Sequence, residues 1–260
     1  MTKLQPKISI VTVVFNGDKQ LQHTINSIVE QTYKNIEFII VDGKSTDNTP
    51  LIIEKNKANI DQVICDQDLG IYDAMNKGVS LATGDYINFM NCGDSYYNNS
   101  VIEDVFNYIH SHDKNPHGFD VIYGDHNVQG SRVNDGINKA KSIHYLSQGM
   151  VCCHQSTFFK SDILKQCPYS LNFASAGDYE LYCHLKHLKA KFFKLPNLVV
   201  ANYAAGGVSD VQRVSSLQNS KIAYQQYFPL SVLDKIKWLY RLTRAYFSCK
   251  IMQLLSRGAK

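Results

Sequence analysis

Apolar runs that end in polar residues alternate with helix-like segments along the first 112 residues. Four runs rich in β-branched and aromatic residues predict strands at 7–16, 35–43, 61–68 and 86–91. The segments that follow them place apolar residues at helical spacing and predict helices. Because these strands are apolar without alternation, they are typical of a parallel sheet that helices cover on both faces. The pattern therefore predicts an α/β fold.

The pattern is less regular after residue 113. A strand and turn are predicted near 119–128, a helix from about 178 and a strand near 198–203. We interpret this part as completing the sheet and supplying the second wall of a cleft. The predicted organisation is one α/β domain over 1–231, made of two halves (1–112 and 113–231) and followed by a basic amphipathic helical tail (232–260).

The positive charge of the chain is confined to this tail. The whole chain has a net charge of +4, but residues 232–260 hold seven Lys or Arg and one Asp, so the remainder carries −2. A slightly acidic domain argues against nucleic-acid binding. Apolar residues at helical spacing beside lysine and arginine suit a helix lying on an anionic membrane surface. We expect a cytoplasmic protein held at the inner face of the cytoplasmic membrane; a helix packed on the domain is the alternative.

Several common kinds of site lack their motif in this sequence. There is no GxGxxG after the first strand, no GxxxxGK[ST], no GxSxG and no HExxH. The seven cysteines show no CxxC spacing, which argues against a disulfide framework or a structural zinc site.

Polar groups instead follow three of the predicted strands, at Asn16, at Asp42 and at Asn91–Asp94. In a parallel sheet the carboxyl ends of strands meet at one edge, where ligands bind. A carboxylate beside a glycine turn suits a hard cation such as Mg²⁺ or Mn²⁺, which takes its other ligands from water and phosphate oxygens. Asp94 is therefore predicted to anchor a bridge between a metal ion and a diphosphate.

Five segments, taken in their order and spacing, resemble family 2 glycosyltransferases of the GT-A fold, of the bacterial surface-polysaccharide kind. They are "SIVTVVFNGDKQLQHTINSIVEQTYKNIEFIIVDGKSTDNT", "GIYDAMNKGVSLATGDYINFMNCGD", "HQSTFF", "AGDYELYCHL" and "GGVSD", and they cover roughly residues 7–210. The resemblance implies a Rossmann-like, mostly parallel sheet with helices on both faces, in which 1–112 is the nucleotide-binding half and 113–231 the acceptor-side half. It also implies an inverting transfer of a sugar from a nucleotide-diphosphate sugar to a lipid-linked or oligosaccharide acceptor, in capsule, O-antigen or exopolysaccharide synthesis.

The resemblance also implies roles for individual residues. Asp178 matches the general base, and Asp94 matches the last carboxylate of the DxD motif that binds Mn²⁺ or Mg²⁺. Donor and nucleotide contacts fall on Val14, Asn16, Asp42, Lys77, Asn91, Cys92 and Gly93. Acceptor-side positions are His154, Gln155, Gly206 and Gly207.

Two departures from the family pattern leave alternatives open. Cys92 stands where the first DxD carboxylate is expected, and Gly177 precedes Asp178 where the family often has glutamate. A non-catalytic nucleotide-sugar-binding or scaffold protein is therefore the alternative, and a sugar-phosphate nucleotidyltransferase is a weaker one. Asp42 could be only a turn former, Asp94 and Asp178 only helix caps, and His154 a structural histidine. A homo-oligomer is left open.

Overall fold

The computed structural model describes residues 5–112, 118–130, 135–173, 175–206 and 213–257. The strands are β1 (Ile8–Val14), β2 (Ile36–Asp42), β3 (Gln62–Cys65), β4 (Tyr86–Phe89), β5 (Ser95–Tyr96), β6 (Val121–Gln129), β7 (Gly136–Asn138), β8 (Thr157–Lys160) and β9 (Phe192–Ala204). The helices are α1 (Leu21–Val29), α2 (Thr49–Lys55), α3 (Ile71–Leu81), α4 (Val101–His112), α5 (Ser161–Gln166), α6 (Gly177–His187), α7 (Arg213–Tyr227) and α8 (Val232–Arg257).

The described strands form one sheet in the order β3-β2-β1-β4-β8-β6-β9-β5, and β7 pairs with β6. The pairs among β1–β4 are parallel, and β6 runs parallel to β9. Antiparallel pairs join β4 to β8, β6 to β8, β6 to β7 and β5 to β9. Most paired residues thus run parallel, and the predicted α/β class is confirmed.

Helices cover both faces of the sheet because side chains alternate along each buried strand. On β1, Val11 and Val13 join the hydrophobic cluster that includes residues of α3. Ile8 and Ile10 point to the opposite face and join the cluster that includes residues of α1 and α4. The chain therefore has a core on each side of the sheet, as the unbroken apolar strands predicted.

The second half contains elements that the sequence pattern missed. Strand β9 begins at Phe192, earlier than predicted. The sequence pattern missed its first part because a register shift around Pro196 interrupts the strand. Strands β5 and β8 are too short to show a period. Helix α7 buries Ser216, Ala223 and Tyr224, so its inner face carries little hydrophobic signal.

Helix α8 packs on the domain through one of its faces. Trp238 is fully buried in the main core cluster, and its ring meets that of Tyr179 edge-on at 6.3 Å between centroids. Ala245 is buried two turns further along. Arg241 donates a hydrogen bond to the carbonyl of Gln148 and lies over the Trp238 ring. The predicted tail is therefore attached to the domain over its first half. Within the described residues, no helix is both long and apolar enough to cross a membrane.

Candidate active site

The antiparallel pairing of β4 with β8 brings together two polar segments that are far apart in sequence. The loop after β4 lies beside the short 3₁₀ turn His154–Ser156, which leads into β8. Asn91 Nδ2 lies 2.9 Å from His154 Nε2, and Gln155 Nε2 lies 2.6 Å from Asp94 Oδ2. Four predicted site residues therefore form two hydrogen-bonded pairs at this edge.

Asp94 is buried at the centre of this network. Its Oδ2 accepts from Gln155, and its Oδ1 accepts from the backbone N–H of Ala204, at 2.9 Å. Burial raises the pKa of Asp94, and these hydrogen bonds oppose the rise in part. Asp94 thus ties the loop after β4 to the end of β9.

Asp178 lies at the start of α6 with its two oxygens in different surroundings. Oδ1 accepts from the Tyr179 backbone N–H at 2.8 Å and lies 3.4 Å from the Tyr72 hydroxyl oxygen. Oδ2 faces His154, 3.9 Å from Nδ1, and the side chain is 28% exposed. One oxygen is therefore held by the protein while the other remains accessible.

Tyr72 is a site residue that sequence reasoning missed. It lies on α3, stacks on Tyr169 with 5.4 Å between ring centroids and contacts Asp178 across 106 positions of sequence. A Cβ on Gly177 would come within 2.7 Å of its ring. The glycine that replaces the expected glutamate therefore makes room for Tyr72. The only sequence signal was the tyrosine in "GIYDAMNKG".

His154 connects the loop after β4 to Asp178. Its ring Nε2 is paired with Asn91 Nδ2, and its other ring nitrogen, Nδ1, faces Asp178. Asn91 Oδ1 and Gln155 Oε1 are buried acceptors without a hydrogen-bond partner among the described residues. A ligand hydroxyl that donates to them would recover the cost of burying them.

The loops after β1 and β2 are joined by hydrogen bonds at the same edge of the sheet. The backbone N–H of Asn16 donates to Ser45 Oγ at 2.8 Å, and Asn16 Oδ1 accepts from the Thr46 backbone N–H at 2.8 Å. Asp42 is buried, and its Oδ1 accepts from both the backbone N–H and the hydroxyl of Ser45. Asp42 therefore shapes the loop that would face a nucleotide.

The remaining predicted donor residues lie in varied surroundings. The Val14 side chain is in the core, so only its backbone could meet a ligand. Gly93 has φ +101° and directs its N–H to Thr24 Oγ1 at 3.0 Å. Burial raises the pKa of the Cys92 thiol to about 12, with Asp94 and Asp47 contributing. Lys77 lies apart, near the end of β3, 3.0 Å from Asp66 and 3.5 Å from Asp73.

These residues do not by themselves fit a resident metal ion. Both oxygens of Asp94 already accept hydrogen bonds, and Cys92 stays a protonated thiol, which is a poor ligand for a hard cation. In the described part of the chain, no group of three His, Cys, Asp or Glu could hold a metal. The role of Asp94 as a metal ligand therefore stays a prediction.

A cavity of about 470 Å³ opens beside Asp178. His154 and Gln155 line it, together with residues of β6, β9, α7 and α8. The predicted donor residues do not line it, whereas His154 and Gln155, which were predicted on the acceptor side, do. Gly206 is exposed just beyond its rim, at φ +105°, and Gly207 lies outside the described residues.

Known proteins resemble this chain in sequence and in fold. A family model described as glycosyl transferase family 2 matches residues 9–167. A PGL/p-HBAD biosynthesis glycosyltransferase of Mycobacterium bovis is 30% identical over 210 residues, which cover 79% of this chain and 80% of that protein. These matches confirm the resemblance that the sequence motifs indicated.

Two solved structures share the fold at low sequence identity. S. aureus TarS 1–349 in complex with UDP-GlcNAc has a TM-score of 0.67 at 16% identity, covering 92% of this chain and 72% of that one. The mannosyltransferase PcManGT from Pyrobaculum calidifontis, in complex with GDP-Man and Mn²⁺, has a TM-score of 0.67 at 14% identity, covering 98% and 80%. The predicted GT-A fold is thereby confirmed.

Proposed function

The chain belongs to glycosyltransferase family 2, and from that premise we propose that it moves a sugar from a nucleotide-diphosphate sugar to a hydroxyl of a lipid-linked or oligosaccharide acceptor. The transfer inverts the anomeric carbon and serves the synthesis of a bacterial surface polysaccharide. TarS with UDP-GlcNAc and PcManGT with GDP-Man are structural neighbours, which supports a nucleotide-sugar donor.

The observation that carries this proposal is the environment of Asp178. Its Oδ1 accepts from the Tyr179 N–H and contacts the Tyr72 hydroxyl, its Oδ2 is left with the longer contact to His154, and the residue lines a cavity large enough for a sugar. A fixed carboxylate with one accessible oxygen is what a general base requires. A helix cap alone would explain the Oδ1 contact but not the approach of Tyr72.

In the proposed mechanism, Asp178 Oδ2 takes the proton from the acceptor hydroxyl as that oxygen attacks the anomeric carbon. The bond from that carbon to the diphosphate breaks on the opposite side, through an oxocarbenium-like transition state. His154 lies on the other side of this carboxylate, with Nδ1 3.9 Å from Asp178 Oδ2, and would help to orient it. No enzyme nucleophile is needed for a single displacement.

The donor would lie on the loops after β1, β2 and β4. Phe15 is 65% exposed beside Gly43, an unusual position for a large apolar ring. We place the nucleobase against this ring, where stacking would contribute about 1–3 kcal/mol. Asn91 Oδ1, a buried acceptor without a partner in the described residues, would take a hydrogen bond from a sugar hydroxyl.

None of the steps proposed above uses a Mn²⁺ or Mg²⁺ ion. The PcManGT structure contains Mn²⁺, but here the oxygens of Asp94 are already engaged. We keep the cation as a predicted partner of the donor diphosphate and derive no step through it. Thermal shift with Mn²⁺ and nucleoside diphosphate, each alone and together, tests whether a cation binds only with the donor.

Asp178→Asn tests the proposal directly. We expect donor affinity to stay within about twofold by calorimetry, while nucleotide release in the presence of acceptor falls by about 10²-fold or more. Asp162→Asn is the matched control, since Asp162 is an exposed carboxylate in the first turn of α5. Weakened donor binding with an unchanged rate would point to a structural cap. Donor binding without any turnover in the unaltered chain would favour the non-catalytic alternative.

We also propose that α8 holds the protein at a membrane surface. Leu233, Ile236 and Leu239 are each at least 59% exposed, whereas Trp238 is buried. Lys235 and Lys237 lie among them, as in helices that bind anionic interfaces. A lipid-linked acceptor would be reached at that surface, on the inner face of the cytoplasmic membrane.

A further inference from the structure

Three of the chain's five arginines line the cavity that contains Asp178. Arg213 begins α7, and Arg241 and Arg244 lie one turn apart on α8. The helical spacing had favoured a membrane contact for the two on α8, but both line the cavity. Among the described residues that line the cavity, Asp178 is the single carboxylate, so this part of the wall has an excess of positive charge.

In the part of the chain that the structure describes, these arginines have no carboxylate partner. Among the described residues, no ion pair involves an arginine, and every one that is formed uses lysine or histidine. Arg213 and Arg241 lie close enough for their charges to repel, and burial together with this repulsion lowers the pKa of Arg241. Like charges gathered without a partner cost stability, so the arrangement favours an anion between them.

The arginine wall is held in a fixed position relative to Asp178. Arg241 is fixed by the Gln148 carbonyl and by the Trp238 ring, whose edge-on partner is Tyr179, the residue next to Asp178. Gly149, with φ +120°, lets Arg241 approach, because a Cβ there would overlap the guanidinium. The fold thus places a cationic surface and the proposed base on one cavity.

We infer that the acceptor carries a phosphate or diphosphate group, which Arg213, Arg241 and Arg244 bind while its hydroxyl lies at Asp178. This inference rests on the proposed function for the cavity's role as the acceptor site. Guanidinium groups suit the purpose because their planar forks match phosphate oxygens. The phosphate could belong to a lipid-linked saccharide or to a free sugar phosphate, which share this chemistry.

The first test measures binding of inorganic pyrophosphate to the full chain by calorimetry. Arg213→Ala/Arg244→Ala removes two exposed guanidiniums that no described contact ties to the fold. Lys235→Ala/Lys250→Ala removes the same charge from exposed positions of α8 outside the cavity. We expect affinity to fall about tenfold or more in the arginine variant and to stay within about threefold in the lysine variant. Equal losses in the two variants, or no loss in either, would overturn the inference.

A second comparison identifies the source of the phosphate. A prenyl-diphosphate-linked monosaccharide, the same monosaccharide 1-phosphate and a neutral octyl glycoside are titrated into both variants. We expect the arginine variant to bind only the two anionic ligands more weakly than the lysine variant does. The anionic ligand that binds more tightly identifies the source of the phosphate. An equal loss of affinity for the neutral glycoside would show that the arginines do not recognise the negative charge of the ligand. Asp178→Asn should keep pyrophosphate binding, so failure of the base and failure of the anion site appear in different measurements.

Discussion

Tyr72 lies so close to Gly177 that a methyl group at position 177 would come within 2.7 Å of its ring. Tyr72 is also stacked on Tyr169, which leaves its ring little room to move. The contact joins α3 in the first half of the domain to the start of α6 in the second. Because the Tyr72 hydroxyl lies 3.4 Å from Asp178 Oδ1, this contact also bears on the position of Asp178.

Gly177→Ala should displace Tyr72 and impair catalysis, even though alanine is the better helix former. We expect a loss of about 1–3 kcal/mol in the free energy of unfolding, from overpacking, and a larger relative fall in kcat than in donor affinity. Urea unfolding and nucleotide-release kinetics measure the two effects. Tyr72→Phe is the matched variant, since it keeps the ring and removes only the hydroxyl near Asp178. An alanine variant with normal stability and rate would show that the ring moves freely.

Much of the first half of the fold could be predicted because most of its strands are apolar and are closed by polar turns. β1, β2 and β4 bury nearly all their residues, so composition alone identifies them. β9 could not be delimited, since its register shift interrupts the pattern near Pro196. Helical spacing in α7 is masked by the small and polar residues on its inner face.

Some residues of the candidate site could also be predicted from the sequence, and others could not. The predicted site residues Asn91, Asp94, His154, Gln155 and Asp178 form two hydrogen-bonded pairs and one longer contact, and their roles stay predictions. The contribution of Tyr72 depends on a contact across 106 residues, which no local pattern reveals. Helical spacing also gives no sign of which side of α8 meets the domain, so the arginines that line the cavity were assigned to a membrane face.

Asp94 should prove to be a structural link as well as a site residue. Asp94→Ala removes the acceptor of two donors, Gln155 Nε2 and the Ala204 N–H. Leaving buried donors unpaired costs about 1–3 kcal/mol each, so we expect a loss of about 2–4 kcal/mol in the free energy of unfolding. Asp94→Asn should lose less, because an amide oxygen can still accept from Ala204. Urea unfolding of both variants tests this, and equal stability of the alanine variant and the unaltered chain would contradict it.

Glu37 should make stability depend on pH in the acid range. Burial alone raises the pKa of Glu37, but hydrogen bonds from Ser9, Thr83 and Lys7 outweigh it and lower the pKa from 4.5 to about 2. Because the folded pKa lies below the unfolded one, the stabilisation is present above pH 4.5 and is lost as pH falls towards 2.

Glu37→Gln is expected to lower the free energy of unfolding at pH 7 by roughly 2–3 kcal/mol and to flatten its decline between pH 5 and about 2.5. Urea titrations at several pH values measure both effects. Glu54→Gln is the control, since the Glu54 side chain is 71% exposed. A decline as steep in Glu37→Gln as in the unaltered chain would assign the acid sensitivity to other carboxylates.

The exposed face of α8 should decide membrane association. Deleting the helix is a poor test, because Trp238 and Ala245 are buried in the domain and their loss would disturb the fold. Ile236→Glu/Leu239→Glu instead changes two residues that are 59% and 67% exposed. We expect the unaltered chain to float with phosphatidylglycerol vesicles at low salt, since apolar burial adds to about 1 kcal/mol for each basic residue near the surface.

The double variant should stay at the bottom of the gradient, because carboxylates at this face oppose both contributions. Leu51→Glu is the matched control: Leu51 is 69% exposed on α2, so the same change there should leave flotation intact. Neutral phosphatidylcholine vesicles should bind the unaltered chain more weakly, since they lack the anionic attraction. If the double variant floated as completely as Leu51→Glu, the exposed face of α8 would not be the membrane contact. If the unaltered chain did not float, the proposed membrane association itself would be wrong.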